Sequence, residues 1–301
     1  MSDQRTQVIF NPAAGREQDR DELLERLGRL GTVHTTTGPG DARRLARDAA
    51  AAGAELVVAA GGDGTVNEVV SGLAPGFEAT LAVVPLGTGN DLAGTLGMPD
   101  DPLEAVALVG AGPTVAADVI RLRIAGEERW AVNAVTAGFS ALVDEVLESR
   151  SKELLGSLAY LVTAGRSLPE LEAYRLRLAV DDGDERVLDA FNLVLANGPT
   201  VGGGVPVAAG ARLDDGVLHL LVVPEMPLPA LAVALGRLLA QGAGEVPGLH
   251  AERVRRLRFD AEPAMQVTAD GEVVGRTPAE AVVLAGTLRC VVGRPPGGAG
   301  G

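Results

Sequence analysis

Apolar residues change their spacing near residue 120, and this change divides the chain into two halves. In the first half, compact apolar runs such as Leu56–Ala60 and Leu81–Val84 are separated by stretches with helical spacing, as from Leu23 to Leu30. Short runs that alternate with helical patterns predict a mostly parallel sheet with helices on both faces. Ligands of such sheets bind beyond the carboxyl ends of the strands, where the polar loops of this half lie.

The second half alternates apolar and polar residues, which is typical of antiparallel strands with one buried face. Arg121–Ile124 and Arg129–Asn133 alternate on either side of a short turn and predict a hairpin. Further strands are predicted at Tyr174–Val180, Ala190–Ala196, Val217–Val223, Arg253–Phe259 and Met265–Ala269. A helix is predicted over 141–168. The predicted class is therefore α/β, with an antiparallel β-sandwich following an α/β domain.

Composition and charge narrow the function classes. The chain has 301 residues and a formal net charge of −14, which disfavours nonspecific nucleic-acid binding and global attraction to anionic membranes. Cys290 is its single cysteine, so neither an intrachain disulfide nor a cysteine metal site is expected. Prolines and Glu225 interrupt the most apolar segment, Leu218–Leu239, which is therefore not a membrane span. The N-terminus lacks a basic and then apolar leader, so a cytoplasmic protein with a disordered tail over 295–301 is expected.

A glycine-rich loop, Gly61–Asn67, joins the buried strand Leu56–Ala60 to the first turn of a helix. Glycines allow a phosphate to approach the backbone, and the helix N-terminus supplies N–H groups and a positive dipole. Asp63 would repel a phosphate unless a cation or a hydroxyl lay between them, so the loop suggests phosphate together with a divalent metal. Thr65 can cap the helix and donate to phosphate, and the loop has no counterpart of the Walker lysine.

Two further polar loops follow strands of the first half. Asn11–Gly15 follows the first strand, and Pro85–Asp91 follows Leu81–Val84. Because ligands bind beyond the carboxyl ends of such strands, we expect the three loops to converge on one crevice. Each loop also has a simpler interpretation. The first is an ordinary strand-to-helix turn, and the last provides Asn90 or Asp91 as a helix cap.

Taken in order, these motifs resemble those of the diacylglycerol kinase catalytic-domain family, in particular its bacterial soluble lipid kinases. The polar loops supply the motifs of the first half. The motifs of the second half are Gly202–Gly204, Ala211–Leu218 and Asp270–Glu272. The resemblance implies a Rossmann-like ATP-binding domain over 1–120, a β-sandwich lipid-substrate domain over 121–280, an active site in the cleft between them, and a segment 281–294 that returns to the first domain.

The resemblance also implies the nucleotide site, with ATP as substrate and Mg²⁺ as cofactor. Nucleotide contacts are implied at Asn11, Pro12, Ala13, Ala14, Gly15, Thr36, Gly61, Gly62, Asp63, Gly64, Thr65, Val66, Asn67 and Thr88. Thr36 is chosen over Thr35 and Thr37 from its spacing to the following Gly40 and Asp41, and those alternatives stay open.

Metal and catalytic roles are implied for the second half. Asp215 is implied to ligate a structural Mg²⁺ with the backbone carbonyls of Arg212 and Val217 as neighbours, although the local sequence is also an ordinary turn. The catalytic base is implied within 270–272, where a carboxylate would accept the proton of an attacking hydroxyl. Glu272 is favoured, with Asp270 as its close partner or a metal-linked residue, and a tight hairpin is the simpler interpretation. Since this triplet is distant in sequence from the glycine loop, closure of the two domains is expected.

The resulting hypothesis is an ATP- and Mg²⁺-dependent lipid kinase with diacylglycerol as the first acceptor. NAD kinases carry a similar glycine loop and remain an alternative, as does a noncatalytic nucleotide- or lipid-binding sensor. The implied partner is a lipid at a membrane surface, contacted peripherally at its inner face; a homodimer stays open and nucleic acid is not a partner. The cluster Arg253, Arg255, Arg256 and Arg258 is either a solvated strand face or a contact with anionic headgroups.

Overall fold

The computed structural model describes residues 5–15, 20–138, 173–201, 204–208, 210–241 and 246–293. The predicted helix over 141–168, the first two residues of the triplet 202–204, and the tail 295–301 lie outside the described residues. The helices are α1 Arg20–Leu30, α2 Asp41–Ala51, α3 Asp63–Leu73, α4 Asp91–Thr95, α5 Pro102–Val109 and α6 Leu228–Gln241. The strands are β1 Thr6–Phe10, β2 Thr32–Thr35, β3 Leu56–Gly61, β4 Thr80–Pro85, β5 Thr114–Ile124, β6 Glu127–Ala131, β7 Ala134–Gly138, β8 Tyr174–Val180, β9 Arg186–Ala196, β10 Thr200–Val201, β11 Val205–Pro206, β12 Leu218–Pro224, β13 His250–Val254, β14 Arg256–Glu262, β15 Gln266–Ala269, β16 Glu272–Arg276 and β17 Ala279–Val291.

The first domain is built on a parallel sheet in the order β4-β3-β1-β2. Strands β3 and β4 are buried along almost their whole length, as expected for parallel strands that are covered on both faces. On α1, Leu23 and Leu27 supply the buried stripe that packs into the core of this domain. These features confirm the α/β class predicted for the first half.

Helices α2 and α3 pack closely because Gly72 of α3 has no side chain. A Cβ at Gly72 would lie 2.3 Å from the carbonyl oxygen of Arg43 and 2.6 Å from the Cβ of Ala46. Both distances are shorter than van der Waals contact, so this spacing of the helices requires glycine. The contact fixes the start of α2 against the helix that carries the glycine loop.

The second domain is an antiparallel β-sandwich. Ten strands, β5 to β9, β12 to β15 and β17, contribute to one apolar core, in which Leu176, Leu193 and Leu257 are fully buried. The neighbouring strands β8, β9, β7 and β12 pair antiparallel, as the alternating pattern predicted. The predicted hairpin of β5 and β6 is also present.

One predicted strand of this domain was wrong. Arg253–Phe259 is not a single strand, because β13 ends at Val254 and β14 begins at Arg256. The Asp181 carboxylate accepts hydrogen bonds from the N–H groups of Arg255 and Arg256, both at 2.8 Å. These bonds stabilise the interruption between the two strands. Strand β13 pairs with β12, whereas β14 pairs with β8 and β17. Two successive polar residues interrupt the alternation at this point and are the signal of the break.

Helix α6 overlaps the apolar segment Leu218–Leu239, which was not predicted to be a membrane span because prolines and Glu225 interrupt it. Leu231, Ala234 and Leu238 are buried and form the side of α6 that packs on the sandwich. Across the described ranges, no helix is long and apolar enough to cross a bilayer.

Strand β17 joins the two domains. It pairs antiparallel with β5 from Ala279 to Val291, and it also pairs in parallel with β4 through Cys290 and Leu81. A continuous path of paired strands therefore runs from β2 in the first domain to β16 in the second. Cys290 is fully buried at this junction, and burial raises the pKa of its thiol to about 12, so it acts as a core residue.

The close packing of α2 on α3 makes the effect of Gly72→Ala predictable. We expect a loss of about 1–3 kcal/mol in the free energy of unfolding, because the added methyl group must displace backbone. Gly28→Ala on α1 is the matched control: a Cβ there meets no atom within 4 Å. Higher helix propensity should then stabilise the protein by up to about 1 kcal/mol. Urea unfolding measures both, and equal effects of the same sign would contradict the packing argument.

Candidate functional site

Asn11 fastens the first polar loop to the glycine loop. Its Nδ2 donates to the Thr65 hydroxyl at 2.9 Å, and its backbone N–H donates to the Ala60 carbonyl at 2.9 Å. Its Oδ1 accepts the N–H of Ala13 at 3.0 Å, which closes the turn after β1. The Thr65 hydroxyl is buried in this contact and does not cap α3, whose N-cap position is Gly62.

The glycine loop and the third polar loop cross at two glycines. A Cβ at Gly87 would lie 2.7 Å from the Cα of Gly62, and a Cβ at Gly61 would lie 2.5 Å from the Cβ of Thr65. Glycine is therefore required for the crossing of the loops as well as for access to their backbone. The three polar loops meet at the carboxyl ends of β1, β3 and β4.

Asp63 binds the third loop through its carboxylate. The two oxygens accept the N–H groups of Asn90 and Asp91, each at 2.8 Å. These donors lie at the start of α4, so Asp63 caps that helix from a different loop. The side chain of Asn90, a predicted cap, instead bonds both backbone groups of Gly87. The charge of Asp63, which suggested a metal, is thus already met by backbone donors.

Asp270 joins the two domains through four N–H donors. Its Oδ1 accepts the backbone N–H groups of Asn133 and Ala134 at 2.9 and 2.8 Å. Its Oδ2 accepts the backbone N–H of Val132 at 2.8 Å and the Nδ2 of Asn67 at 3.4 Å. Burial raises the pKa of the Asp270 carboxyl, and the donors oppose this increase. Asp270 therefore acts as a structural clasp between the domains, and its predicted catalytic or metal-linked role stays a prediction.

The backbone around Asp270 explains its position. Asp270 and Gly271 both have positive φ, 45° and 85°, and form the two-residue turn between β15 and β16. Asp-Gly suits such a turn because both central residues adopt the left-handed region. The tight-hairpin interpretation is therefore right, and the same turn aims the Asp270 carboxylate at β6 and β7.

Glu272 lies opposite the glycine loop. Its Oε1 is 3.6 Å from the position that a Cβ of Gly64 would occupy, at the first turn of α3. Partial burial is the largest cause that raises the pKa of its carboxyl, the charge of Glu68 adds to the increase, and that of Arg43 opposes it. In the described part of the chain its carboxylate accepts no hydrogen bond, in contrast to Asp270. The geometry thus favours Glu272 of the two as a proton acceptor.

The other predicted nucleotide contacts fall into two groups. Thr88 and Gly64 are exposed, as are Ala13 and Gly15 in the first loop. Other residues are turned inward: Val66 is 5% exposed and packs in the core of the first domain, Asn67 is 3% exposed and also donates to the Trp130 carbonyl, and Thr36 is 8% exposed. The side chain of Val66 therefore packs in the core and that of Asn67 bridges the domains, and nucleotide contact by these two residues stays a prediction. Pro12 and Ala14 are partly buried beside the exposed residues.

The predicted metal residues lie on the turn before β12. The Asp215 Oδ1 accepts the N–H of Val217 at 3.1 Å, and its Oδ2 lies 3.4 Å from the Nε2 of His219. Arg212 pairs with Asp214. Within the described ranges, no three or more histidine, cysteine, aspartate or glutamate side chains are placed to hold a metal. A site with one carboxylate and backbone carbonyls, as predicted, is of a different kind and stays a prediction.

Sequence reasoning missed Asp118, which is buried at the domain junction on β5. Its carboxylate accepts the N–H groups of Gly216 and Gly286, both at 2.7 Å. Burial raises the pKa of Asp118, and the charges of Asp215 and Asp214 add to this increase. An aspartate inside the otherwise apolar stretch 115–120 of β5 was the available signal.

Glu68 and Arg43 were also missed, although both lie near Glu272. Glu68 follows Gly64 by one helical turn, so the periodicity of α3 places the two on one face. Arg43 lies in the first turn of α2, and nothing in its local sequence distinguishes it from Arg44.

Comparisons with known proteins agree with this geometry. Residues 5–122 match the family described as the diacylglycerol kinase catalytic domain, and residues 133–292 match the YegS C-terminal NAD kinase beta sandwich-like domain. A "Probable lipid kinase YegS-like" from Stenotrophomonas maltophilia is 33% identical, over 91% of both chains. A "Diacylglycerol kinase" from Bacillus subtilis is 32% identical, over 93% of both. The crystal structure of a diacylglycerol kinase from Bacillus anthracis covers 97% of this chain and 98% of its own with a TM-score of 0.75; at 22% identity it shows the fold alone.

The clasp at Asp270 predicts a large effect of Asp270→Asn on stability. The oxygen of an amide accepts hydrogen bonds but its nitrogen does not, so some of the N–H donors of residues 132–134 and Asn67 are left unpaired. We expect the free energy of unfolding to fall by about 2–3 kcal/mol. Asp260→Asn, which breaks a half-exposed ion pair with Arg177, should cost less than about 1 kcal/mol. Equal urea midpoints for the two variants would show that Asp270 is not a clasp.

Proposed function

Since the chain belongs to the diacylglycerol kinase catalytic-domain family and is a lipid kinase, we propose that it transfers the γ-phosphoryl group of ATP to a lipid hydroxyl, with Mg²⁺ and with diacylglycerol as the favoured acceptor. One observation carries the mechanism. The carboxylate of Glu272, from the second domain, lies over Gly64 at the N-terminus of α3 and accepts no hydrogen bond from the described residues. A proton acceptor and an anion-binding helix start thus face the same gap.

The donor nucleotide binds at the three polar loops. The exposed backbone of Gly64 and the exposed Thr88 supply N–H and hydroxyl donors for phosphate oxygens. Asp63, Asn11 and Thr65 do not contact phosphate in this scheme, because their side chains hold the loops together. They act by keeping the backbone donors in place, which lowers the cost of organising the site when the nucleotide binds.

Glu272 accepts the proton of the acceptor hydroxyl. As the O–H bond breaks, the oxygen forms a bond to the γ-phosphorus, and the bond from that phosphorus to the β–γ bridging oxygen breaks. ADP leaves, and the proton stays on the Glu272 carboxyl until solvent removes it. The raised pKa of Glu272 suits this role, because a more basic carboxylate binds the transferred proton more strongly.

Mg²⁺, when bound, would neutralise charge that develops on the transferring phosphoryl group or stabilise the fold near Asp215. The negative charge around Asp215 suits a hard cation, because the charges of Asp215 and Asp214 both act on Asp118 and raise its pKa. Each oxygen of Asp215 has one nearby nitrogen, which leaves lone pairs of the carboxylate for a cation. Backbone carbonyls and water would supply the other ligands of that cation.

Contact with a membrane is proposed at the arginine cluster of β13 and β14. Arg256 is already paired with Asp182 and Glu280. Among the described residues, Arg253 and Arg258 have no carboxylate partner, so they remain available for anionic headgroups. The contact is local, because the net charge of −14 opposes adsorption of the whole protein.

A screen with radiolabelled ATP tests the proposed activity. We expect labelled phospholipid with diacylglycerol, when sphingoid bases and other lipid alcohols are compared in parallel. Glu272→Gln should lower the rate by about 10²–10⁴-fold with ATP binding retained, because only the proton acceptor is lost. Glu262→Gln, an exposed glutamate on β14, is the matched control and should leave the rate unchanged.

Two other results would overturn the proposal. Formation of NADP in a coupled assay would favour the NAD kinase alternative. That alternative is retained because residues 133–292 match a domain described as NAD kinase beta sandwich-like. Binding of ATP and lipid without any labelled product would favour the sensor.

Unfolding in the presence of Mg²⁺ tests the metal site independently of activity. The wild type should gain about 2.7 kcal/mol of stability when free Mg²⁺ exceeds its Kd a hundredfold, because the ion binds only the folded state. Asp215→Asn should abolish this gain, whereas Asp214→Asn, whose carboxylate pairs with Arg212, should keep most of it. A wild-type melting temperature that does not respond to Mg²⁺ would remove Asp215 from the list of ligands.

A further inference from the structure

Glu68 of α3 caps helix α2 from outside its own sequence. Its Oε1 accepts the N–H of Gly40 at 2.7 Å, and its Oε2 accepts those of Ala42 and Arg43 at 3.0 and 3.3 Å. No side chain bonds the helix from the N-cap position, where Gly40 has a φ of 85°. Glu68 therefore satisfies donors that the start of a helix otherwise leaves to water.

The same carboxylate lies near the base. Glu68 follows Gly64 by four positions, and residues with this spacing share one face of a helix about 6 Å apart along its axis. Glu272 sits over Gly64 on that face. Glu68 therefore projects from the face of α3 that carries Gly64, and three backbone bonds hold its carboxylate at the start of α2.

Arg43 contributes a charge of opposite sign, which acts on Glu272 from the first turn of α2. Its backbone N–H is bound by Glu68, and its carbonyl packs on Gly72, so the start of its side chain is fixed. In the described part of the chain its guanidinium pairs with no carboxylate. The neighbouring Arg44 differs, because it pairs with Asp41 at 3.0 Å and with Asp48 at 3.4 Å.

The charged groups around Glu272 act on it in different directions. After burial, the charge of Glu68 from α3 raises the pKa of Glu272, that of Arg43 from α2 lowers it, and that of Asp270 from its own hairpin raises it slightly. The charge of Asp270 is already met by four N–H donors. Glu68 and Arg43 are therefore the two neighbours whose charges set the pKa of Glu272 in opposite directions.

We propose that Glu68 and Arg43 act as a pair of opposite charges at the first turn of α2, and that this charged pair electrostatically tunes Glu272 as the base for the acceptor hydroxyl. Both are positioning residues, since neither needs to touch the reacting atoms. The inference rests on the proposed function for its role in catalysis. The arrangement of charges itself is independent of which substrate is phosphorylated.

Opposite shifts in the pH profile of kcat/KM test the pair. Glu272 works deprotonated, so activity falls as pH drops through its pKa. Arg43→Gln removes a positive neighbour and should move this acidic limb to higher pH. Glu68→Gln removes a negative neighbour and should move it to lower pH, each by about 0.5–1 pH unit at low salt and by less at high salt. Arg44→Gln, whose partners are Asp41 and Asp48, is the matched control and should leave the limb in place.

A titration of the Glu272 carboxyl by ¹³C NMR separates failure of this inference from failure of the proposed function. The signal is identified by its loss in Glu272→Gln, and its midpoint should shift in the same two directions without any substrate. Opposite shifts in NMR without lipid phosphorylation would support the charged pair and reject the kinase activity. Phosphorylation with no shift, or with shifts of one sign, would overturn the pair.

Folding of the variants does not obscure the result. Arg43→Gln keeps the backbone N–H that Glu68 binds, so its melting temperature should match the wild type. If Glu68→Gln uncaps α2 and unfolds, Arg43→Gln against Arg44→Gln decides alone. An unchanged midpoint for Arg43→Gln would then reject the proposal.

Discussion

The carboxylate of Asp270 holds the two domains in the arrangement on which the site depends. It accepts three backbone N–H groups from the segment between β6 and β7 and one from Asn67 of α3. Trp130 strengthens the same junction, because its ring packs edge-on against Phe77 of the first domain at 5.4 Å. Hydrogen bonds to a charged group contribute about 1.5–3 kcal/mol each, and at Asp270 they offset the cost of burying its charge. Glu272, two residues beyond Asp270, is carried to Gly64 by this clasp.

Backbone donors also explain the other carboxylates near the cleft. Asp63 is used by the start of α4, Glu68 by the start of α2, and Asp118 by two glycines at the domain junction. Each therefore organises a loop or helix end and has little capacity left for a substrate proton. Glu272 differs because none of the described residues donates to it. The proposal that Glu272 is the base thus rests on the hydrogen bonds of its neighbours as well as on its own position.

Much of the architecture was predictable because it depends on local periodicity. Helical spacing after Leu56–Ala60 predicted α3, and alternation predicted the hairpin of β5 and β6. The roles of Asp63, Asn67 and Asp270 were not predictable, because their partners lie 27 to 203 residues away in sequence. A polar residue in a glycine loop has the same local pattern whether it binds a ligand or another loop. Only the fold shows which donors it meets.

The continuity of the sheet bears on how the site works. Domain closure was expected, because base and glycine loop lie on different halves of the chain. In the structure they already face each other, and β17 pairs with strands of both domains. Opening the cleft by a hinge would break the Asp270 clasp and the pairing of β17 with β4 together, and both are buried. In the proposed mechanism, the acceptor would then reach Glu272 without a hinge movement at this junction, and catalysis would depend on preorganised charges.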